Sequence, residues 1–162
     1  LRDFARRSKP RCVKTNINNV LERTLFLVLP EMEKKNIKFT KNIPDTPVEI
    51  NADPEQLRQV FLNILLNAVS AVPEDGQISL DISNTTCKNN REYYLVQIAD
   101  NGHGIDEKDI KLIFRPFYTT KAKGLGLGLC VTKKIVEDHD GFIEVESKKQ
   151  KGTIFKIYLV KE

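Results

Sequence analysis

The sequence predicts an α+β fold, a two-layer sandwich with helices packed on one face of a mixed sheet. Three observations predict it. Residues 16–35 and the stretch after Asp53 carry apolar side chains at helical spacing. Residues 77–84 with 93–99, and 142–148 with 153–160, read as two hairpins of extended segments. The elements follow in the order helix, strands, helix, hairpin, helix, helix, hairpin, with no internal repeat and no low-complexity tract.

Taken in order, residues 1–14 (LRDFARRSKPRCVK) are basic and poor in apolar residues, and Pro10 interrupts any helix there. They read as a helix end and a linker, ahead of one domain over 15–162. Ile17, Val20, Leu21, Leu25, Leu27, Val28 and Met32 mark the first helix, which Pro30 is expected to bend or interrupt. Short strands are expected near 37–43 and 47–50. Asp53-Pro54 then supplies a cap and a first-turn proline for a helix with the stripe Leu57, Val60, Phe61, Ile64, Leu65, Ala68. Asp75-Gly76 is a turn, and a polar loop around Lys88-Asn89-Asn90-Arg91 joins the first hairpin. A short helix is expected over 106–114. Residues 115–124 lack a period and read as a mobile segment. A helix over 125–139 stops at Gly141, and a turn at Lys151-Gly152 joins the last two strands.

Bulk properties narrow the function classes. A chain of 162 residues suits one domain and buries enough surface to need no staples. With 40% apolar and 30% charged residues it is an ordinary globule, and a net charge of +4 suits an anionic ligand or acidic partner without being a nucleic-acid footprint. Cys12, Cys87 and Cys130 are odd in number and scattered, so a reduced, cytoplasmic setting is expected. No apolar run approaches the ~20 residues of a membrane span, and no signal peptide is visible. No direct membrane contact is expected of this chain, although a parent protein is free to carry an anchor.

The residues that could carry chemistry fall in three clusters. Asn63 and Asn67 are spaced i, i+4, so they share a helix face at the border of the apolar stripe. Amide oxygens there suit a magnesium ion that also holds ATP phosphates. Taken alone, the pair also fits two half-exposed polar residues, but asparagine is a poor helix former. Asp100 ends a strand and is followed by Asn101-Gly102-His103-Gly104. A carboxylate there can accept from an adenine amino group, with Gly102 and Gly104 letting backbone approach the ring. Taken alone, the same residues also make an ordinary turn. Finally, Gly124, Gly126 and Gly128 open a helix, where backbone amides and the helix dipole favour phosphate, while Leu125, Leu127 and Leu129 anchor the turn in the core. This is neither a P-loop nor the dinucleotide fingerprint, because no Lys-Ser or Lys-Thr follows and the spacing differs.

Between the glycine-rich pieces, Phe114-Arg115-Pro116-Phe117-Tyr118-Thr119-Thr120-Lys121 reads as a flap or a surface loop with packed aromatics, in which Lys121 or Lys123 can reach a phosphate. His139, between Asp138 and Asp140, reads as a cation favoured at a helix C-terminus. No Ser-His-Asp or zinc arrangement is visible.

LRQVFLNILLNAVSAV, DNGHG, FRPFYTTK and GLGLGL resemble, in this order, the N box, first glycine box, F box and second glycine box of the catalytic and ATP-binding domain of bacterial sensor histidine kinases. The resemblance runs from about residue 12 to 160. NAVSAV and the TTK stretch resemble the nitrogen-regulation and sporulation kinase branch. It implies the Bergerat ATP-binding fold, ATP and Mg2+ as cofactors, and transfer of the γ-phosphoryl group to a histidine on a separate phosphoacceptor domain. It implies Asn67 as the main magnesium ligand, with Asn63 supporting the phosphates. Asp100 would hold the adenine amino group beside Gly102 and Gly104. Residues 105–123, from Ile105 through Phe117, Thr119, Thr120, Lys121 and Lys123, would form the ATP lid. Gly124, Gly126 and Gly128 would hold phosphate, and Thr153 would reach adenine through water. The implied partners are the phosphoacceptor and dimerisation domain of the same kinase and a response-regulator receiver domain. The isolated domain is expected to be a monomer of a homodimeric parent.

Three positions depart from the family pattern. Ser70 replaces a basic residue, Arg115 replaces an acid, and Asp140 replaces the first of two glycines. Neither His103 nor His139 sits in a phosphoacceptor box, so the chain resembles an excised catalytic module whose opening resembles the tail of a dimerisation helix. Two alternatives share the pocket type. One is an ATP-hydrolysing conformational clamp, disfavoured because Asn63 stands where those ATPases carry a water-activating Glu. The other is a degenerate nucleotide-binding module, disfavoured by Asn67, Asp100 and the intact glycines.

Overall fold

The computed structural model describes residues 9–87, 89–118 and 128–161. Among these, five strands form one sheet, with α-helices on one face, and two more strands pair beside it. The elements are β1 (Val13–Asn16), α1 (Ile17–Lys34), β2 (Lys38–Asn42), β3 (Glu49–Ala52), α2 (Pro54–Ala71), β4 (Gln77–Thr86), β5 (Glu92–Asp100), α3 (Glu107–Ile110), α4 (Gly128–Asp138), β6 (Phe142–Lys148) and β7 (Gly152–Val160).

The main sheet has the order β2-β4-β5-β7-β6. β2 runs parallel to β4, and every other pairing is antiparallel. Register puts Leu80 opposite Ile98, Ile98 opposite Phe155, and Phe155 opposite Val145, so one face is a continuous apolar layer. α1, α2 and α4 bury their stripes in the same core. Phe61, Ile64 and Leu65 of α2, Leu21 and Val28 of α1, and Ile135 and Val136 of α4 are all inaccessible to solvent. The other face of the sheet carries an aromatic trio, Tyr93, Phe142 and Tyr158, in which Phe142 stacks on Tyr158 at 4.2 Å between centroids.

The helix starts follow local chemistry. Asn16 caps α1 and Asp53 caps α2, and Pro54 occupies the first turn as expected. α1 runs unbroken through Pro30, although the proline has no amide for the Phe26 carbonyl. Tertiary burial of seven residues of that helix outweighs the loss. The short helix is tighter than expected: only 107–110 is α-helical, and turns continue toward residue 117. β1 was not foreseen. Four residues without alternation become a strand because β3 offers an antiparallel edge, pairing Val13 with Ala52.

The end of α4 explains the Asp140 departure. Asp140 takes a left-handed conformation (φ 61°), which aspartate tolerates, and the next amide, of Gly141, donates to the Val136 carbonyl at 3.0 Å. The steric need for glycine falls on Gly141 instead, because a Cβ there would overlap the Tyr158 carbonyl.

Candidate functional site

Apart from Phe117, the sequence-predicted residues that can be placed lie at one end of the sheet, on α2, α4, the last residue of β5 with the loop after it, and the first residues of β7. Thr119, Thr120, Lys121, Lys123, Gly124, Leu125, Gly126 and Leu127 lie outside the described residues.

Asp100 closes β5, opposite Thr153 of β7. Its carboxylate accepts from the amide of Gly102 at 2.8 Å and from the amide of Thr153. Burial pushes its pKa above the ordinary carboxylate value, and those two amides and the nearby His103 pull it back only in part. The result is a carboxylate that is held in place yet poorly solvated, and so eager for a further donor.

The loop after Asp100 is clamped from two sides. A Cβ on Gly102 would overlap the carbonyl of Ala71, and the amide of His103 donates to that same carbonyl at 3.1 Å. Gly104 has φ +70° and faces the Lys148 carbonyl at a distance no side chain allows. The loop after Asp100 therefore rests on the end of α2 on one side and on the β6–β7 turn on the other. Ile105 continues this docking: its amide donates to Ser147 Oγ at 2.7 Å.

Thr153 is buried, and its Oγ1 lies 2.8 Å from Ser147 Oγ. Ser147 was not foreseen. It sits at a core-facing register of β6, opposite Thr153, and a polar residue at such a register was the available signal.

At the other end of the site, Asn63 and Asn67 are half-buried on α2, one turn apart. Asn63 Nδ2 donates to the carbonyl of Gly128 at 3.2 Å and to Thr132 Oγ1 at 3.3 Å. Thr132, fully buried, donates in turn to the Gly128 carbonyl at 2.8 Å. Asn63 thus ties α2 to the first turn of the glycine-box helix. Gly128 opens α4, and Leu129 packs against the core as expected. Phe117 stands apart: it is 56% exposed and has a left-handed backbone (φ 65°).

Both ring nitrogens of His139 are engaged. Its Nε2 accepts from the amide of Asp53 at 3.0 Å, which requires the unprotonated nitrogen, and Nδ1 lies 2.8 Å from the Ile135 carbonyl, to which it donates. One ring nitrogen thus meets the end of its own helix and the other makes a tertiary contact to the start of α2.

Among the described residues no three His, Cys, Asp or Glu side chains stand close enough to hold a metal, and no helix is long and apolar enough to cross a membrane. A neutral amide donor set suits a hard cation whose charge is met by a phosphate ligand.

Comparison with known proteins places the fold in a family. The family of histidine kinase-, DNA gyrase B- and HSP90-like ATPases matches residues 52–162. Sporulation kinase E of Bacillus subtilis is 35% identical over 97% of this chain, which spans 21% of that protein. The sensor histidine kinase ZraS of Escherichia coli (strain K12) is 38% identical over 89% of this chain, which spans 30% of that protein. The chain thus spans a fifth to a third of these relatives' length. The catalytic domain of histidine kinase ThkA superposes with a TM-score of 0.82 at 30% identity, covering 93% of this chain and 96% of that one. ThkA has also been seen in complex with a response regulator, TrrA, with a TM-score of 0.82 at 25% identity, over 99% of this chain and 45% of that one. The chain belongs to the histidine kinase-, DNA gyrase B- and HSP90-like ATPase family, and within it is an ATP-binding catalytic domain of the sensor histidine kinase type.

Proposed function

We propose that this domain positions Mg-ATP so that a histidine on a separate phosphoacceptor domain attacks the γ-phosphorus, and that a receiver domain takes the phosphoryl group onward. The observation that carries the reading is the convergence of an under-solvated, immobilised Asp100 with the Asn63–Asn67 face and the start of α4. Asp100 would accept from the adenine amino group, and Thr153 beside it would bind through water. Asn67 would hold magnesium and Asn63 would support the phosphates. Magnesium would neutralise phosphate charge, while the protein's contribution is placement. The lid would run from Ile105 through Phe117 and onward, and the glycines before α4 would hold phosphate.

Hydrolysis is the weaker reading, because the Asn63 amide cannot take a proton from water and is already engaged by Gly128 and Thr132. The test is radiolabelled Mg-ATP with this chain alone and then with a supplied phosphoacceptor domain. Alone, the chain should neither label itself nor release phosphate above background. With the partner, the partner should gain an acid-labile, base-stable label. Brisk phosphate release from the chain alone would replace this reading with the clamp ATPase.

A further inference from the structure

Asp53 is bonded to three separate parts of the chain. As the cap of α2, its Oδ1 accepts from the amides of Glu55 at 3.1 Å and Gln56 at 3.2 Å. Its Oδ2 accepts from the amide of Arg11 at 2.9 Å, in the segment that enters β1. Its own amide donates to His139 Nε2 at 3.0 Å, at the far end of α4. Capping needs only one carboxylate oxygen. The second oxygen and the imidazole are surplus to capping, and both reach to other elements.

α2 and α4 are therefore pinned together twice. Asn63 bonds the first turn of α4 through Gly128 and Thr132, and Asp53 bonds the residue just past its last turn. α4 has 11 residues, a rod of about 16 Å. Its N-terminal end stands at the site, and its C-terminal end stands at Asp53. A rigid rod that shifts or is immobilised at one end transmits that change to the other.

We propose that Asp53 and His139 are positioning residues that couple occupancy of the nucleotide site to the seating of residues 9–12 on the domain. The coupling rests on the reading that nucleotide engages α2 and the start of α4. Its use follows from where the segment leads. Residues 9–12 precede the first strand, so their seat sets how the domain hangs from whatever lies before them. Nucleotide would then tighten or loosen the domain's attachment, and by reciprocity the attachment would tune nucleotide affinity by the same factor.

The experiment measures hydrogen exchange of the Arg11 amide in the full 162-residue chain by NMR, with and without magnesium and a non-hydrolysable ATP analogue. Calorimetry on the same samples reports binding. In wild type, saturating analogue should change Arg11 protection about fivefold or more, the low end of ordinary site–site coupling. Asp53→Ser keeps a capping oxygen for Glu55 and Gln56 but has none to spare for Arg11. There Arg11 should exchange fast regardless of ligand, and the analogue's Kd should move by the wild-type coupling factor. His139→Ala leaves the Arg11 seat on Asp53 and cuts the arm to α4. In it Arg11 should stay protected, but ligand should no longer change that protection. Normal binding with unchanged Arg11 exchange in wild type overturns the coupling and leaves the nucleotide reading standing. Ligand-dependent protection that survives in both variants overturns it as well. No heat of binding in wild type overturns the nucleotide reading, and the coupling with it.

Discussion

Asp100 is in tension with its surroundings. Burial raises its pKa above the ordinary carboxylate value, while the amides of Gly102 and Thr153 stabilise the anion. Two pH effects of opposite sign follow. A carboxyl group whose pKa is raised by folding holds its proton more tightly folded than unfolded, so it favours the folded state as pH falls through the raised value and costs stability above it. On the proposed reading Asp100 accepts from the adenine amino group, for which the anion is the stronger acceptor, so adenosine affinity should fall over that same pH range, beginning at a higher pH than a solvated aspartate would give. Adenosine titrations across pH, paired with denaturant melts of the empty protein, should show this crossing. Asp100→Asn should flatten both pH dependences. It removes the titration and costs a charged hydrogen bond, about 1.5–3 kcal/mol of ATP affinity, or roughly ten- to a hundredfold in Kd. Asn67→Ala should separate the two ends of the site. ATP affinity in magnesium should drop about tenfold or more, in line with the loss of one charge-assisted contact, while adenosine affinity holds. An equal fall in both would remove Asn67 from the metal role.

At the scale of elements, the end of α2 shows how the loop after Asp100 is held. Its last carbonyls would be orphans, yet Lys35 Nζ donates to Val69 at 2.7 Å and to Val72 at 2.9 Å, and the His103 amide takes Ala71. A cation at a helix C-terminus also opposes the dipole favourably. Lys35→Met keeps the stem and removes the charge. It should lower the denaturant midpoint by the equivalent of about 1–2 kcal/mol with an unchanged m-value, and weaken ATP binding through the displaced loop. None of this was legible in the sequence, because the partners are backbone carbonyls far along the chain. The bond from the Asp53 amide to His139 was equally hidden, whereas Ser147 carried one signal, a polar residue at a core-facing register. What local sequence did reveal was whatever depends on periodicity or caps: the α1 and α2 stripes, Asp53-Pro54, the two hairpins, and the glycine-bounded turns. β1 escaped because its strand character comes from the β3 edge and not from Val13-Lys14-Thr15-Asn16 themselves. The order of the sheet escaped for the same reason, since pairing between distant segments leaves no local mark.

Across the whole molecule, helices cover one face of the sheet, the aromatic trio caps part of the other, and the candidate site sits at the strand ends where β5 meets β7. β7 lies between β5 and β6, with neighbours on both edges, although it is the last strand in the chain. It supplies Phe155, Ile157 and Leu159 to the core and Thr153 to the partner register of Asp100. A ribosome therefore delivers an interior strand of this sheet last. Until Val160 has cleared the exit tunnel, β6 has no strand to pair with and Asp100 has no Thr153 amide. The growing chain must wait as an open intermediate and then close in one late step. Stalled chains of increasing length, probed by pulse proteolysis, should stay cleavable until β7 emerges and become resistant together with the gain of ATP binding. Chains ending before Gly152 should remain cleavable throughout instead of settling into a smaller, stable sheet.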